Sequence, residues 1–465
     1  MPPSRANCSW GTSAEVTGPG TGEVTVMRGP GGPPRRSVHG FAAYDREVLR
    51  SAGRWRWRAL VVGLAMVAVL VGAGVGVVRR LGAPLPVTAV RPALPVIEIA
   101  PGRLPALSWP HEGQAAVTAE GIGTLGVHGT GRPIPIGSVA KVMTALVILH
   151  DHPLTGSHSG PLLSVGHADE HAYTAAIGTG DSLLQVRAGE RITERQALEA
   201  LMLPSADNVA DLLAAWDAHS APAFVAKMNR TARQLGATRT HYADASGLSP
   251  RTTSTATDQV RIGERALTVP VLRSIVGERT ARFPVAGLVE NYNVLLGQDG
   301  VIGIKTGSTR AAGGNLLFAA SKVILGRPVT LVGAVLGQSV GIAPLDALAR
   351  ALATSRTLVR QAFGALQLNR TAIAGTRAGW AVTPWGEPVE LAVAADRTGL
   401  VVPEQATSVR EHACVIVTPA AARAPCGSIT LTQGDALSGH TTAEVGLVHS
   451  AVVGPSVFWR LTHLP

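Results

Sequence analysis

The chain has 465 residues, of which 46% are hydrophobic and 15% charged, with a net charge of +10; that is enough apolar content for two or three folded domains. The positive excess is not a nucleic-acid footprint, because residues 1 to 80 hold 11 arginines against Glu15, Glu23, Asp45 and Glu47 and only +3 remains beyond them, with no basic stripe interleaved with aromatics. Lysine occurs four times against 37 arginines, so a position that needs only charge is written Arg here, and a lysine that can lose its proton when desolvated draws notice.

Residues 1–58 open the chain, and their Gly- and Pro-rich stretch from Gly18 to Arg36 has no periodicity, which predicts a disordered cytoplasmic tail. From Ala59 to Val78 runs an apolar stretch without a charge, long enough to cross a bilayer. Arg46, Arg50, Arg54, Arg56 and Arg58 precede it and only Arg79 and Arg80 follow closely, so the amino terminus is expected inside the cell and the rest outside. The exit Arg79-Arg80-Leu81-Gly82 has no small-x-small cleavage site; an uncleaved membrane anchor is the first reading and a cleaved signal peptide the second. Residues 79–110 carry Pro84, Pro86, Pro92, Pro95, Pro101, Pro105 and Pro110 and read as an extended stalk holding a domain off the membrane.

A folded region is expected over 111–365. It opens on an antiparallel hairpin, Gln114 to Val117 with Gly123 to Val127. The segment Ile136 to Leu149 is apolar nearly all round, so it predicts a buried helix with Ser138 at its start and Lys141 one turn later on the same face. Burying an ammonium costs several kcal/mol by rough estimate unless it is paired or loses its proton, which places Lys141 near Ser138 for a reason. His167 and His171 lie four apart but without the H-E-x-x-H order, and a polar surface loop is expected there with no metal. Ser205-Ala206-Asp207-Asn208 falls in Leu201 to Trp216, which has helical spacing after Pro204, and Lys305-Thr306-Gly307 ends an apolar, strand-like run. Thr255 with Asp258 has the spacing of a helix capping box. Asn291 and Asn293 either satisfy backbone groups or line a cleft, and Lys227 and Lys322 read as surface charges.

Residues 366–465 alternate short apolar runs with turn signals, as a small β-rich domain does. Cys414 and Cys426 flank a Pro-containing stretch; a hairpin disulfide and two unpaired buried thiols are both compatible with that spacing. The closing Phe458-Trp459-Arg460-Leu461 is expected to be a last strand.

A serine three residues before a lysine is common by chance, but Ser138-x-x-Lys141, Ser205-x-Asp207 and Lys305-Thr306-Gly307 follow in one order, each in a fitting context. With these motifs, and with Gly180 to Glu190, Asp244 to Leu248, Ser254 to Asp258 and Asn291-Tyr292-Asn293, the chain resembles the serine-type D-Ala-D-Ala carboxypeptidases of the low-molecular-mass penicillin-binding protein class, peptidase family S11, over roughly 114 to 338. The resemblance implies an α/β (α+β) fold of the β-lactamase/transpeptidase type, a central antiparallel sheet flanked by helices. It implies Ser138 as nucleophile, neutral Lys141 as its base, and Ser205 as the relay to the leaving amine. Lys305 would push the neighbouring lysine toward neutrality, the backbone N–H groups of Ser138 and Ser308 would hold the oxyanion, and Thr306 and Gly307 would line the edge along which the peptide adds. Asp207 and Asn208 complete the implied substrate-binding set. The implied substrate is a peptidoglycan stem peptide, with β-lactams as covalent inhibitors and no cofactor. Two departures stand out: the family has Asn where Asp207 lies, and it often has an Arg where Gly337-Gln338-Ser339 is found, with Arg310 as a possible substitute. A weakly active or inactive peptidoglycan-binding relative is therefore an alternative, as is a serine β-lactamase, although no deacylating Glu is evident between the second and third motifs.

Overall fold

The computed structural model describes residues 45–90, 103–104, 106–156, 158–405 and 407–464. Of the disordered tail expected over 1–58, residues 1–44 lie outside them and residues 45–58 are helical; residues 91–102 and 105 of the proline-rich segment also lie outside. The chain divides into two units, Met1–Arg80 and Leu81–Pro465. In the first, a helix runs over Asp45–Gly82, and the most apolar 18-residue stretch of its Trp55–Gly82 portion has a mean hydropathy of 2.6 with no residue buried. At 1.5 Å per residue those 28 residues extend about 42 Å, beyond the roughly 30 Å of a hydrocarbon core. It is a candidate membrane span, and it starts before and ends after the expected 59–78.

The second unit is built on a five-stranded antiparallel sheet: β1 (Gln114–Ala119), β2 (Gly123–His128), β3 (Val301–Thr309), β4 (Gly313–Ile324) and β5 (Arg327–Gln338), in the order β3-β4-β5-β1-β2. The central strands are apolar almost without interruption because both faces are covered. Leu317, Ala319, Val332 and Ala334 point to one core, while Leu316, Phe318, Leu331 and Val335 point to the other. That alternation is the two-residue strand period with no solvent face. On the first side sits α1 (Lys141–Asp151), with α2 (Glu194–Met202), α3 (Asp207–Ala218) and α4 (Ala256–Leu267) around it. On the second side lies α5 (Pro344–Ala365), whose Ala347, Ala351, Leu358 and Ala362 are buried at helical spacing. The predicted hairpin is β1–β2, in the expected antiparallel register.

Beyond α5, a second antiparallel sheet is formed by β6 (Arg377–Val382), β7 (Pro388–Val393), β8 (Ser408–Glu411), β9 (Ala424–Asp435) and β10 (Gly439–His449), in the order β6-β7-β10-β9-β8. The tip of its long β9–β10 hairpin docks on the first sheet. Asp435 accepts from the Thr124 amide at 2.9 Å and hydroxyl at 3.0 Å, the Gly121 amide donates to Ser438, and Leu437 enters the α1 core. Cys414 and Cys426 are bonded, with Cα atoms 4.8 Å apart, which resolves the open choice in favour of the disulfide. Within the proline-rich segment, Thr88–Val90 forms a strand that pairs with Ile416–Cys414.

Several local expectations are corrected. Residues 457–463 form a helix, not a strand: Ser456 caps the Trp459 amide and the turn closes on itself. His167–Ala176 is also helical, where a loop was expected, with both histidines exposed. The helical spacing expected after Pro204 is met by α3, which starts only at Asp207 because Ser205, with a φ of +64° that no helix admits, separates it from α2. Lys227 is not a free surface charge: it bridges Asp151 and Asp217, both at 2.7 Å. Thr255 does cap α4 through the Asp258 amide, but the Asp258 carboxylate turns away to the Arg239 amide and the Thr240 hydroxyl.

Candidate active site

The site forms where the start of α1 meets the edge strand β3 and the α2–α3 junction. A 3-10 turn, Gly137–Ala140, leads into α1 and carries Ser138, which keeps 8% exposure while Lys141 has none. This turn lies directly on β3. A side chain at Gly307 would stand 2.8 Å from the Val139 nitrogen and 2.9 Å from that of Ser138, so only glycine permits the approach. A side chain at Gly137 would stand 3.3 Å from the Ser308 nitrogen. The backbone nitrogens of Ser138 and Ser308 therefore flank one contact, at the free edge of the sheet.

Lys141 Nζ makes three hydrogen bonds: to Ser138 Oγ at 2.8 Å, Asp207 Oδ1 at 2.5 Å and the Ser246 carbonyl at 2.9 Å. The second oxygen of Asp207 accepts from the Ser182 amide at 2.9 Å, and the Asp207 amide donates to the Ser182 carbonyl at 2.7 Å. Burial pushes the Asp207 carboxyl above its usual range, against the opposing pull of Lys141 and the Ser182 N–H. Ser205, between α2 and α3, is held in its left-handed conformation by the Ala206 amide on Ala200 O and by the Asp207–Ser182 pair; such strain persists where surroundings over-determine it.

Two polar atoms at the site are buried with no hydrogen-bond partner among the described residues, Ser205 Oγ and Lys305 Nζ. Desolvation, and then the charge of Lys141, holds the Lys305 amine well below the usual lysine range, with Asp207 opposing. Buried polar atoms without partners are uncommon, and these two lie on the segments that carry Asp207 and Thr306. Thr306 is buried beside Lys305 on β3, and Ser308 is half-buried at the strand's end.

The structure thus brings together Ser138, Lys141, Ser205, Asp207, Lys305, Thr306, Gly307 and Ser308. Asn208 is turned elsewhere: its carboxamide accepts from the Leu184 amide at 3.0 Å and donates to the Leu184 carbonyl at 2.9 Å, tying down the loop before α3. Asn291 and Asn293 also satisfy backbone groups, of Glu278, Asn293 and Leu295. Sequence reasoning gave no role to Ser182 and Ser246, although both lie in stretches that carry the resemblance, because they contribute backbone groups, which leave no residue-type signal. It also missed Asn315, fully buried on β4, whose side chain donates to Gly307 O and accepts from the Gly337 amide, bracing the end of β3. A lone Asn in the apolar run Gly313–Ile324 was the available sign.

Residues 128–339 match the peptidase S11 family, described as D-alanyl-D-alanine carboxypeptidase. The chain is 35% identical over 195 residues to the D-alanyl-D-alanine carboxypeptidase DacB2 of Mycobacterium tuberculosis, covering 40% of this chain and 62% of that one. It is 31% identical over 205 residues to DacA of Escherichia coli, covering 43% and 49%. The chain therefore spans less than two thirds of the length of either relative. Among solved structures, the D-alanyl-D-alanine carboxypeptidase DacD of Francisella tularensis superposes with a TM-score of 0.52 at 17% identity, over 77% of this chain and 97% of that one, a likeness of fold.

Proposed function

We propose, from the premise that residues 128–339 are a peptidase S11 segment, that the chain is a serine-type D-Ala-D-Ala carboxypeptidase acting on peptidoglycan stem peptides. The observation that carries this reading is the buried lysine amine 2.8 Å from the hydroxyl of a partly exposed serine, beside two unpartnered polar atoms. Ser138 Oγ attacks the carbonyl between the last two D-alanines while its proton passes to Lys141 Nζ, whose free lone pair accepts it. The oxyanion that forms is stabilised by the N–H groups of Ser138 and Ser308. As the C–N bond breaks, Ser205 gives its proton to the leaving amine and takes up the one held by Lys141; water then attacks the acyl-enzyme, passing a proton through Lys141 to Ser138 Oγ as the shortened peptide is released. Lys305 and Thr306 hold the substrate's terminal carboxylate, and Gly307 leaves the edge of β3 open for the peptide to add as a strand. β-Lactams enter the same site and acylate Ser138.

The test is covalent labelling by a fluorescent penicillin, with release of D-alanine from a pentapeptide measured in parallel. Ser138→Ala is expected to abolish both; labelling that survives in this variant would place the nucleophile elsewhere. The apolar helix anchors the chain with its amino terminus inside and the site outside the cell. Protease added to intact cells should then remove the labelled domain, and full protection would reverse that topology. A second reading, a peptidoglycan-binding relative with little turnover, is favoured by Asp207; it predicts muropeptide binding without release of D-alanine.

A further inference from the structure

The three contacts of Lys141 Nζ constrain where its proton and lone pair can point. The Ser246 carbonyl can only accept, so it takes one hydrogen. An amine has two hydrogens and one lone pair, and an ammonium has three hydrogens. For the lone pair to face Ser138 Oγ, the second hydrogen must go to Asp207 Oδ1, which must then be a pure acceptor. If instead the pair carries one extra proton, two placements exist. On Lys141 it makes an ammonium whose third hydrogen points at Ser138. On Asp207 it makes an acid whose O–H occupies the lysine's lone pair. Neither placement leaves a lone pair on Ser138, whichever partner holds the proton.

An amide oxygen at position 207 accepts in the same way and has no site for that proton. A carboxylate has such a site, and the surroundings favour keeping it filled. Asp207 lies 4% exposed, and the other charged groups around the pair are Asp181 on the preceding loop, Asp211 one turn along α3, Asp244 beside the Ser246 segment and Lys305 on β3. Three of those four are acidic. Burial and the neighbouring carboxylates raise Asp211 to about 6, a sign of how much negative charge this corner already holds.

We propose that Asp207 is a proton-holding positioning residue: the Lys141–Asp207 pair keeps one shared proton in the resting site, and Ser138 is acylated only in molecules that have released it to water. The Ser182 N–H supports this assignment, since it and Lys141 present donors to both Asp207 oxygens, and an amide would turn its NH₂ toward one of them. The inference rests on the carboxypeptidase reading above and refines how that site is regulated. A coupled pair titrates as a unit, so the effect is read on the pair.

The experiment compares acylation by a fluorescent penicillin in the full-length wild type and in Asp207→Asn, from pH 5.5 to 9.5, with thermal unfolding alongside. The wild-type rate should rise about tenfold per pH unit through neutrality, as loss of a single proton requires. In Asp207→Asn that rise should move to lower pH, giving at least a tenfold faster rate at pH 6, while the melting temperature drops because the Ser182 contact is mismatched. A flat wild-type rate between pH 6 and 8, or an unmoved rise in the variant, overturns the proposal. The chain's four lysines permit a reading independent of activity, by NMR of protein labelled at lysine Cε with carbon-13. The signal that disappears in Lys141→Arg should change with pH over the same range in which the wild-type acylation rate rises, since the proton belongs to the pair. A signal that does not change over that range overturns the proposal, even when the Asn variant does not fold.

Discussion

Gly307 is the residue on which the site's compactness turns, because a strand and a 3-10 turn meet there backbone to backbone. Gly307→Ala would drive a methyl group against the nitrogens of Ser138 and Val139, at 2.8 to 2.9 Å, and neither backbone can yield without moving Ser138. A displacement of about 1 Å in a reacting group is enough for roughly a hundredfold loss of rate. We expect penicillin acylation to fall by about that factor in Gly307→Ala, with the far-ultraviolet circular dichroism unchanged; a loss under threefold would show that the turn has room to shift. Lysines 141 and 305 are equally buried yet differ in kind. The first has three partners and the second none among the described residues, so the two are not interchangeable cations.

At the scale of elements, α4 packs its buried face on the first sheet and presents Glu264 to Thr118 of β1, whose hydroxyl donates to it at 3.0 Å. Burial raises this carboxyl from 4.5 to about 7. The folded protein therefore holds a proton that the unfolded chain has already released, and stability falls as pH rises between those two values and stays lowered above them. Glu264→Gln keeps the acceptor for Thr118 and removes the titration. Its melting temperature should equal the wild type's at pH 4 and exceed it by about 2 to 4 °C at pH 8; an equal gap at both values would mean that the gain is not electrostatic. The hairpin tip at Asp435 works in the opposite sense. The backbone amides of Thr124, Leu437 and Ser438 and the hydroxyl of Thr124 hold its carboxyl down at about 2 despite burial, so this docking contact is lost only in strong acid.

Across the second unit, the carboxyl-terminal sheet is fastened both to the first sheet and to the chain that follows the apolar helix. The disulfide sits at the latter junction, since Cys414 faces Val90 in the short two-stranded pairing. Closing a loop of 12 residues stabilises a fold by about 3 kcal/mol in the chain-entropy account. Reduction, or Cys414→Ser with Cys426→Ser, should therefore lower the melting temperature by several degrees. The acylation rate of Ser138 at 25 °C should stay within twofold, because none of the described site residues belongs to this module's core. A parallel collapse of labelling would show that the two sheets unfold together and that the carboxyl-terminal module supports the site directly.

The sequence by itself determined the elements whose cause is local or periodic. The long uncharged run specified an apolar helix, two-residue alternation specified the β1–β2 hairpin, and an all-round apolar segment required that α1 be buried. Ser138, Lys141, Ser205 and Lys305-Thr306-Gly307 were legible as a candidate set because their residue types are distinctive and their spacing fits their elements. What only the tertiary structure decided involves groups distant in the chain or without a side-chain signature. The amide of Ser182 and the carbonyl of Ser246 exist at every position, so nothing in the sequence could say that these two surround Asp207 and Lys141. Asp207 and Asn208 are adjacent in the chain, and either could have faced the lysine. Which one did was fixed by the left-handed turn at Ser205, which starts α3 at Asp207 and turns Asn208 toward Leu184. That rotation is a matter of backbone geometry and packing, and it put a carboxylate, able to hold a proton, in contact with the amine beside Ser138.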